Sequence, residues 1–164
     1  MKLLSLLAIL LLNFSISAES AVADYDKILK SSKSYQDLLK TLDSMQKKDQ
    51  EEIQKEDQIL QDENTNLINT QSSGSKEEIE QKMQALQKKA TLLRERVQTL
   101  KNQFETFKEK ELKNIQEQIS KIIGKLSKEK KYDAVFKSES IVLNNTFQDI
   151  TSSVIKILNE SPAP

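Results

Sequence analysis

Chemistry in this chain must come from carboxylates, amines, amides and hydroxyls, because the sequence contains no cysteine and no histidine. Disulfides, thiol nucleophiles, cysteine or histidine zinc sites and imidazole acid–base catalysis are therefore excluded. No nucleophile–base pair, glycine-rich phosphate loop or metal-ligand spacing occurs, and no motif supports the all-carboxylate metal site that would still be possible. The sequence thus predicts neither an enzyme nor a protein with a metal or another cofactor.

One group of charged residues is dense enough to act as a binding surface. This basic patch consists of Lys121, Lys125, Lys128, Lys130 and Lys131. A solvated helix face is the better interpretation of such a run than an anion site. The whole chain has 25 basic and 25 acidic residues, so a nucleic-acid-binding protein is not indicated.

The elements that carry these residues are predicted to be long helices. Charged residues make up 30% of the 164-residue chain and aromatic residues 5%, and glycine and proline occur only twice each. A chain rich in Glu, Lys, Gln and Leu with so few helix breakers is typical of a coiled coil. Its length suits about one domain.

Residues 1–18 have the order of a secretory signal peptide. One lysine precedes an apolar run from Leu3 to Leu12, and small and polar residues follow. The run is short of the roughly 20 residues that span a bilayer, although an uncleaved membrane anchor is the alternative. Two cleavage sites compete, and a cut after Ala23 fits the small-x-small rule better than a cut after Ala18.

Two helical stretches separated by a turn predict an antiparallel hairpin over residues 26–131. The turn is the Gly/Ser cluster at 72–75, with Gly74 at its tip, and Ser75 and Glu78 form a capping box for the return helix. The outgoing arm carries one apolar row on a seven-residue lattice, consisting of Leu39, Ile53, Leu60 and Leu67. The return arm carries two rows, Ile79, Leu86, Leu93, Leu100 and Phe107, and Met83, Ala90, Val97 and Phe104. Such rows predict a coiled-coil seam between the arms.

The charges of the two arms are complementary. Residues 43–66 include eight acidic and three basic residues, whereas residues 76–137 include sixteen basic and ten acidic residues. Attraction between the arms favours their pairing, although each exposed ion pair stabilises by less than about 1 kcal/mol. Beyond Phe107 the apolar frame slips, and Ile115 and Leu126 continue it at a spacing of eleven, which relaxes a left-handed supercoil.

Residues 132–158 differ in character from the hairpin. Strand-forming residues at 132–136 and 141–143 predict two short strands. The capping side chains at 149–151 predict the start of a short final helix. Residues 159–164 are predicted to be a disordered tail.

This order of elements, with residues 21–23 as an opening strand, resembles the Skp (OmpH-like) periplasmic chaperones. The resemblance covers essentially the whole mature chain. It is carried by Ala21 to Leu29, Lys131 to Phe136, Ile141 to Leu143, and Asp149-Ile150-Thr151 leading into Val154-Ile155. It implies a mainly α fold in which a long antiparallel coiled-coil hairpin is attached to a small β body, residues 19–25 and 132–158, formed by trimerisation.

The resemblance implies an ATP-independent holdase in the periplasm. Unfolded outer-membrane β-barrel proteins would be held in a cavity between the hairpins of a homotrimer. Candidate client contacts are Met45, Met83, Phe104 and Phe107, which alternatively only fill the seam. The trimer body would contain Val22, Tyr132, Val135, Phe136, Ile141, Val142, Leu143 and Ile150, whose alternative is a monomer core. Since a cut after Ala23 would remove the opening strand, the resemblance favours cleavage after Ala18.

Two features depart from the family pattern. Family members are often basic, whereas this chain is near neutral. The tip, residues 72–78, carries one lysine and two glutamates, which argues against contact with lipopolysaccharide or an anionic membrane through it. Periodicity alone also fits an exported coiled-coil structural or adaptor protein of the envelope that binds no client.

Overall fold

The computed structural model describes residues 19–70, 74–141 and 147–161. Several predicted features lie outside the described residues: the signal peptide, the body residues Val142 and Leu143, the start of the turn at 71–73 and the end of the tail at 162–164. In chain order the elements are β1 (Ser20–Ala23), α1 (Tyr25–Ser31), α2 (Lys33–Thr70), α3 (Lys76–Lys130), β2 (Ala134–Lys137), a 3-10 turn (Ser138–Ser140), β3 (Gln148–Asp149) and α4 (Thr151–Glu160). The predicted fold class, mainly helical with a long hairpin and a small β part, is confirmed.

The chain divides into two compact units. The hairpin unit is Lys33–Ile115, and the body unit consists of the described residues up to Ser32 and from Gln116 onward. The division falls inside the predicted hairpin, because the segments 26–32 and 116–131 belong to the body unit.

The body unit is built around a three-stranded sheet of order β2-β1-β3. Both neighbours run parallel to β1, with Val22 opposite Phe136 on one side and Asp149 on the other. Ala21, Val22 and Ala23 are at most 3% exposed, as is expected for the central strand of a parallel sheet. The opening strand predicted at 21–23 is therefore the structural centre of the body.

The strands after the hairpin agree only in part with the prediction. β2 (Ala134–Lys137) overlaps the strand predicted at 132–136 but begins two residues later, and Ile141 follows the 3-10 turn and is not in a strand. The third strand is instead Gln148–Asp149, where Ile150 N–H also donates to the carbonyl of Val22 at 2.9 Å. α4 continues to Glu160, so the first two residues of the predicted tail are helical.

A hydrogen-bond relay joins the starts of α1 and α4. Asp24 caps α1 by accepting from Lys27 N–H at 2.8 Å, and its own N–H donates to Thr151 Oγ1 at 2.9 Å. Thr151 N–H donates to Asp149 Oδ1 at 2.8 Å. Hydrogen bonds from the side chain and backbone of Thr151 hold the pKa of Asp149 below its usual value. α1 packs on α4, and Ile28, Ile119 and Val154 are fully buried in the core of the body unit.

The helix predicted from residue 26 to the turn is interrupted at Ser32. Its backbone is extended, and its N–H and hydroxyl both donate to the carbonyl of Leu29, at 3.1 and 2.8 Å. Serine side chains compete in this way with helical backbone bonds, so α1 and α2 are separate helices.

α3 ends in a Schellman motif. Lys131 has a left-handed backbone with φ of 59°. The N–H groups of Lys131 and Tyr132 donate to the carbonyls of Lys128 and Ser127, at 3.4 and 2.9 Å. This turn ends the helix and leads the chain into β2.

The two arms of the hairpin unit are antiparallel, as predicted. Cross-arm ion pairs join Lys89 to Glu63 and Arg96 to both Glu52 and Glu56. The outgoing arm is α2, and the return arm is the part of α3 up to Ile115. Complementary charges therefore meet at residues from the middle of both arms.

The return helix starts where the capping box predicted it. Ser75 N–H donates to Glu78 Oε2, and Glu78 N–H donates to Ser75 Oγ, both at 3.3 Å. Gly74, the predicted tip, lies between the arms and donates its N–H to the carbonyl of Thr70 at 3.1 Å.

The predicted seam is wrong at one residue, Leu39. Leu39 is 49% exposed, while Leu38 and Leu42 are buried. Because these two leucines are four residues apart, the buried face of α2 near its start is rotated by one residue from the predicted row. Farther on, Leu67 is buried as predicted.

Candidate binding cleft of the hairpin

An open cleft of about 970 Å³ runs between the arms of the hairpin unit. Its lining from the outgoing arm is Gln46, Asp49, Gln50, Ile53, Gln54, Asp57 and Leu60. Its lining from the return arm is Ala90, Leu93, Arg94, Val97, Leu100, Lys101 and Phe104. The apolar side chains come mainly from the return arm and the amides from the outgoing arm.

The cleft is open because the arms carry unequal numbers of apolar rows. Between residues 46 and 57 the outgoing arm has a single apolar residue, Ile53. It can cover one of the two rows of the return arm, so the row containing Val97 and Phe104 is left at the edge. Val97 is accordingly 39% exposed, and Phe104 is half-buried.

Charged side chains of both signs line the cleft. Asp49 and Asp57 project from the outgoing arm, and Arg94 and Lys101 from the return arm. Across the described part of the chain, none of the ion pairs includes any of these four, although Asp57 accepts a hydrogen bond from Gln61 at 2.8 Å. The cleft is therefore electrically balanced.

The other side of the seam is closed by ion pairs. Lys89 and Arg96, which bind glutamates of the opposite arm, lie beside a smaller cleft of about 340 Å³. Ile59 and Leu92 line this cleft and are both more than half exposed. Among the described residues, the cross-arm ion pairs lie on this side of the seam, and none of them involves a residue that lines the larger cleft.

One of the four predicted client contacts lines the cleft, and the other three do not. Phe104 lines it, whereas Met45, Met83 and Phe107 do not. Met83 is 53% exposed, and Met45 and Phe107 are half-buried. Val97, which also lines the cleft, was predicted from the sequence to be a seam residue and not a client contact. The signal that could have identified it was the presence of two apolar rows facing one.

Two of the predicted trimer-body residues are already buried in a single chain. Val22 is 1% and Ile150 4% exposed, so the monomer core accounts for their burial. Tyr132, Val135 and Ile141 are half-buried. Phe136 is 43% exposed and contacts Phe147 at a ring-centroid distance of 5.6 Å. Among the described residues of the body, Phe136 is the large apolar side chain that stays exposed, and its partner Phe147 is half-buried.

Tyr25, at the start of α1, lies close to the end of β2. Its hydroxyl donates to the carbonyl of Gln116 at 3.2 Å, and Lys137 Nζ lies 5.4 Å from its ring centroid. Burial raises the pKa of Tyr25. These contacts fix the ring in place and show no reactive role for the phenol.

The predicted basic patch is a solvated surface. All five lysines are exposed, and Lys125 approaches Glu129 at 3.9 Å. Lys131 belongs to the Schellman turn, not to the helix face. The structure supplies no enclosed anion site at these positions.

In residues 19–70, 74–141 and 147–161, no group of three or more acidic, cysteine or histidine residues is arranged to hold a metal ion. In the same ranges no helix is long and apolar enough to cross a membrane.

Comparison with known proteins gives one family and one fold. The family model described as outer membrane protein (OmpH-like) matches residues 19–158. A crystal structure from Caulobacter crescentus CB15, of a proposed OmpH-like outer membrane chaperone, superposes with a TM-score of 0.79 at 20% sequence identity. The match covers 85% of this chain and 83% of the other. No curated protein sequence matches this chain.

Proposed function

Because this chain belongs to the OmpH-like family, we propose that it is an ATP-independent chaperone that holds unfolded outer-membrane proteins in the periplasm and prevents their aggregation. Such a holdase catalyses no reaction and needs no cofactor. It requires a surface that binds unfolded chains weakly at several points and releases them again. Several weak contacts facing one volume raise the effective concentration and so the overall affinity.

The open cleft of the hairpin unit is the observation that carries this proposal. A hairpin that served only as a spacer would be expected to cover its apolar rows. Here Val97 and Phe104 remain accessible between walls of amide and charged side chains. An accessible apolar strip with a polar surround is typical of a surface that binds another polypeptide.

We place the assembly of the chaperone in the body unit. β2 and β3 are both edge strands of a sheet only three strands wide, and such edges pair readily with other chains. Phe136, an exposed residue of β2, would be covered in the same contact. A homotrimer joined through the body would bring three clefts around one client.

Export by a signal peptide of residues 1–18 completes the proposal. β1 is the buried centre of the sheet and includes Ala21 to Ala23, so a cut after Ala23 would delete it. We expect cleavage after Ala18 and a mature chain that begins with Glu19. N-terminal peptide analysis of the exported protein checks this, and a first residue of Asp24 would contradict it.

Native mass spectrometry tests the function as a whole. The protein is measured alone and after addition of a urea-unfolded outer-membrane barrel protein, with a folded soluble protein as the control. We expect a trimer that takes up one unfolded client without ATP. A trimer that ignores the client would favour the alternative of a structural or adaptor protein of the envelope, and a monomer or dimer would refute the proposed assembly.

A further inference from the structure

Three glutamines of the outgoing arm form a row along one wall of the cleft. Gln46, Gln50 and Gln54 are four residues apart in sequence, and all three are exposed. Side chains at this spacing lie on one face of a helix. We call these three residues the glutamine row.

The amides of the glutamine row are not used within the chain. In the described residues no hydrogen bond involves their side chains, whereas two glutamines farther along the same arm are engaged. Gln58 donates to Asp62 at 2.9 Å and Gln61 to Asp57 at 2.8 Å. Each free amide group offers two N–H donors and a carbonyl acceptor to a ligand in the cleft.

The spacing of the row fits an extended polypeptide. Four residues of α-helix rise about 6.0 Å. One edge of an extended chain presents an N–H and a C=O group every second residue, a repeat of about 6.6–6.8 Å. Each glutamine amide could therefore donate to one carbonyl and accept from one N–H of consecutive repeats.

We infer that the glutamine row hydrogen-bonds to the main chain of an extended client segment whose apolar side chains enter the cleft. This inference rests on the proposed function and specifies what the cleft binds. Strands of outer-membrane barrels alternate apolar and polar side chains, so one face of such a segment suits the strip formed by Val97, Leu100 and Phe104. The whole return-arm lining of the cleft, from Ala90 to Phe104, is about 21 Å long, enough for roughly six extended residues.

The charges that line the cleft are of both signs. Asp49 and Asp57 are acidic, and Arg94 and Lys101 are basic. Because these four charges sum to zero, the cleft does not select segments by net charge. Main-chain hydrogen bonds are independent of side-chain identity, so the row would let one cleft bind many unrelated strands.

The test measures binding of a dye-labelled ten-residue peptide with alternating apolar and polar residues by fluorescence anisotropy. The wild-type protein is compared with the triple variant Gln46→Ala, Gln50→Ala, Gln54→Ala. The matched control is Gln58→Ala, Gln61→Ala on the same arm. Alanine favours helix more than glutamine does, so both variants should retain the helical circular dichroism of the wild type.

Loss of these hydrogen bonds should weaken peptide binding by the triple variant about tenfold or more, while the control binds within twofold of the wild type. Two further peptides carry N-methyl groups on either the odd or the even backbone amides. One of them should bind the wild type more weakly than the parent peptide does. The triple variant should bind this methylated peptide and the parent peptide with equal affinity, because the methyl group removes only the hydrogen bonds that the glutamines make.

Other outcomes refute the inference in recognisable ways. Unchanged affinity of the triple variant, or full affinity for both methylated peptides, would mean that the row does not bind main chain. A wild-type protein that captures an unfolded barrel protein but not the peptide would overturn the inference and leave the proposed function standing. Failure to capture either one would refute the function itself. Photo-crosslinking from position 50 to a second copy of the chain would assign the cleft to self-association.

Discussion

Substitution of Val97 by serine should weaken the affinity of the protein for an unfolded client. Val97 is 39% exposed in the hairpin unit and lines the cleft. Burying a whole valine side chain stabilises by about 1.5–3 kcal/mol, so covering the exposed two fifths contributes roughly 0.6–1.2 kcal/mol. Loss of this contribution corresponds to a three- to eightfold weaker affinity at each cleft.

The assay is a titration of a labelled, urea-unfolded barrel protein followed by fluorescence anisotropy, with the mutant's helicity checked by circular dichroism. Met83→Ser is the matched control, because Met83 is 53% exposed in the same helix but does not line the cleft. The reasoning is refuted if Val97→Ser binds with wild-type affinity, or if Met83→Ser weakens binding equally. The second result would mean that exposed apolar area, not the cleft, determines affinity.

Four further predictions concern stability and assembly. Ile119→Ala should lower the free energy of unfolding by about 2–5 kcal/mol in denaturant titrations, since Ile119 is fully buried; a change below 1 kcal/mol would contradict this packing. Gly124→Ala should raise it by up to about 1 kcal/mol and raise the melting temperature, because a Cβ at this helical position meets no atom within 4 Å. Asp149 has a lowered pKa in the folded chain, so its stabilising contribution is present above pH about 4 and is lost as the pH falls through the folded pKa. Asp149→Asn should therefore flatten the acid limb of a stability–pH curve, and an unchanged limb would count against the hydrogen bonds to Thr151. Val135→Asp should dissociate the proposed trimer, and a variant that sediments as a trimer would remove Val135 from the proposed interface.

The parts of the fold that depend on near neighbours in sequence could be predicted. The capping box of Ser75 and Glu78 and the long return helix follow from residues within a few positions of one another. The two-residue strand at Gln148–Asp149 could not be predicted, because neither residue favours strands and pairing with the distant β1 stabilises it. Leu39 was misplaced for a related reason, since only packing decides which of two adjacent leucines faces the partner arm.

The candidate site was predicted less well than the fold. The sequence showed two apolar rows on the return arm and one on the outgoing arm, but a seam filled by all three was equally consistent with it. Only the arrangement of the arms shows that Val97 and Phe104 stay accessible. The proposed role of the glutamine row could not be predicted at all, because exposed glutamines are common on helix surfaces. Their position on the wall of the cleft is what suggests a binding role.

The position of β1 sets the order in which the molecule can fold. Its two partners, β2 and β3, come from the end of the chain, while β1 comes from its start. During synthesis the complete sheet therefore cannot form until Asp149 has emerged, whereas the arms can begin to pair as soon as the return helix grows. β1 therefore stays unpaired during most of the synthesis of the chain. Folding of the body is thus a late step that depends on contacts across nearly the whole chain. Loss of β1 would remove both strand pairings of the sheet, whereas loss of β3 would leave β1 paired with β2.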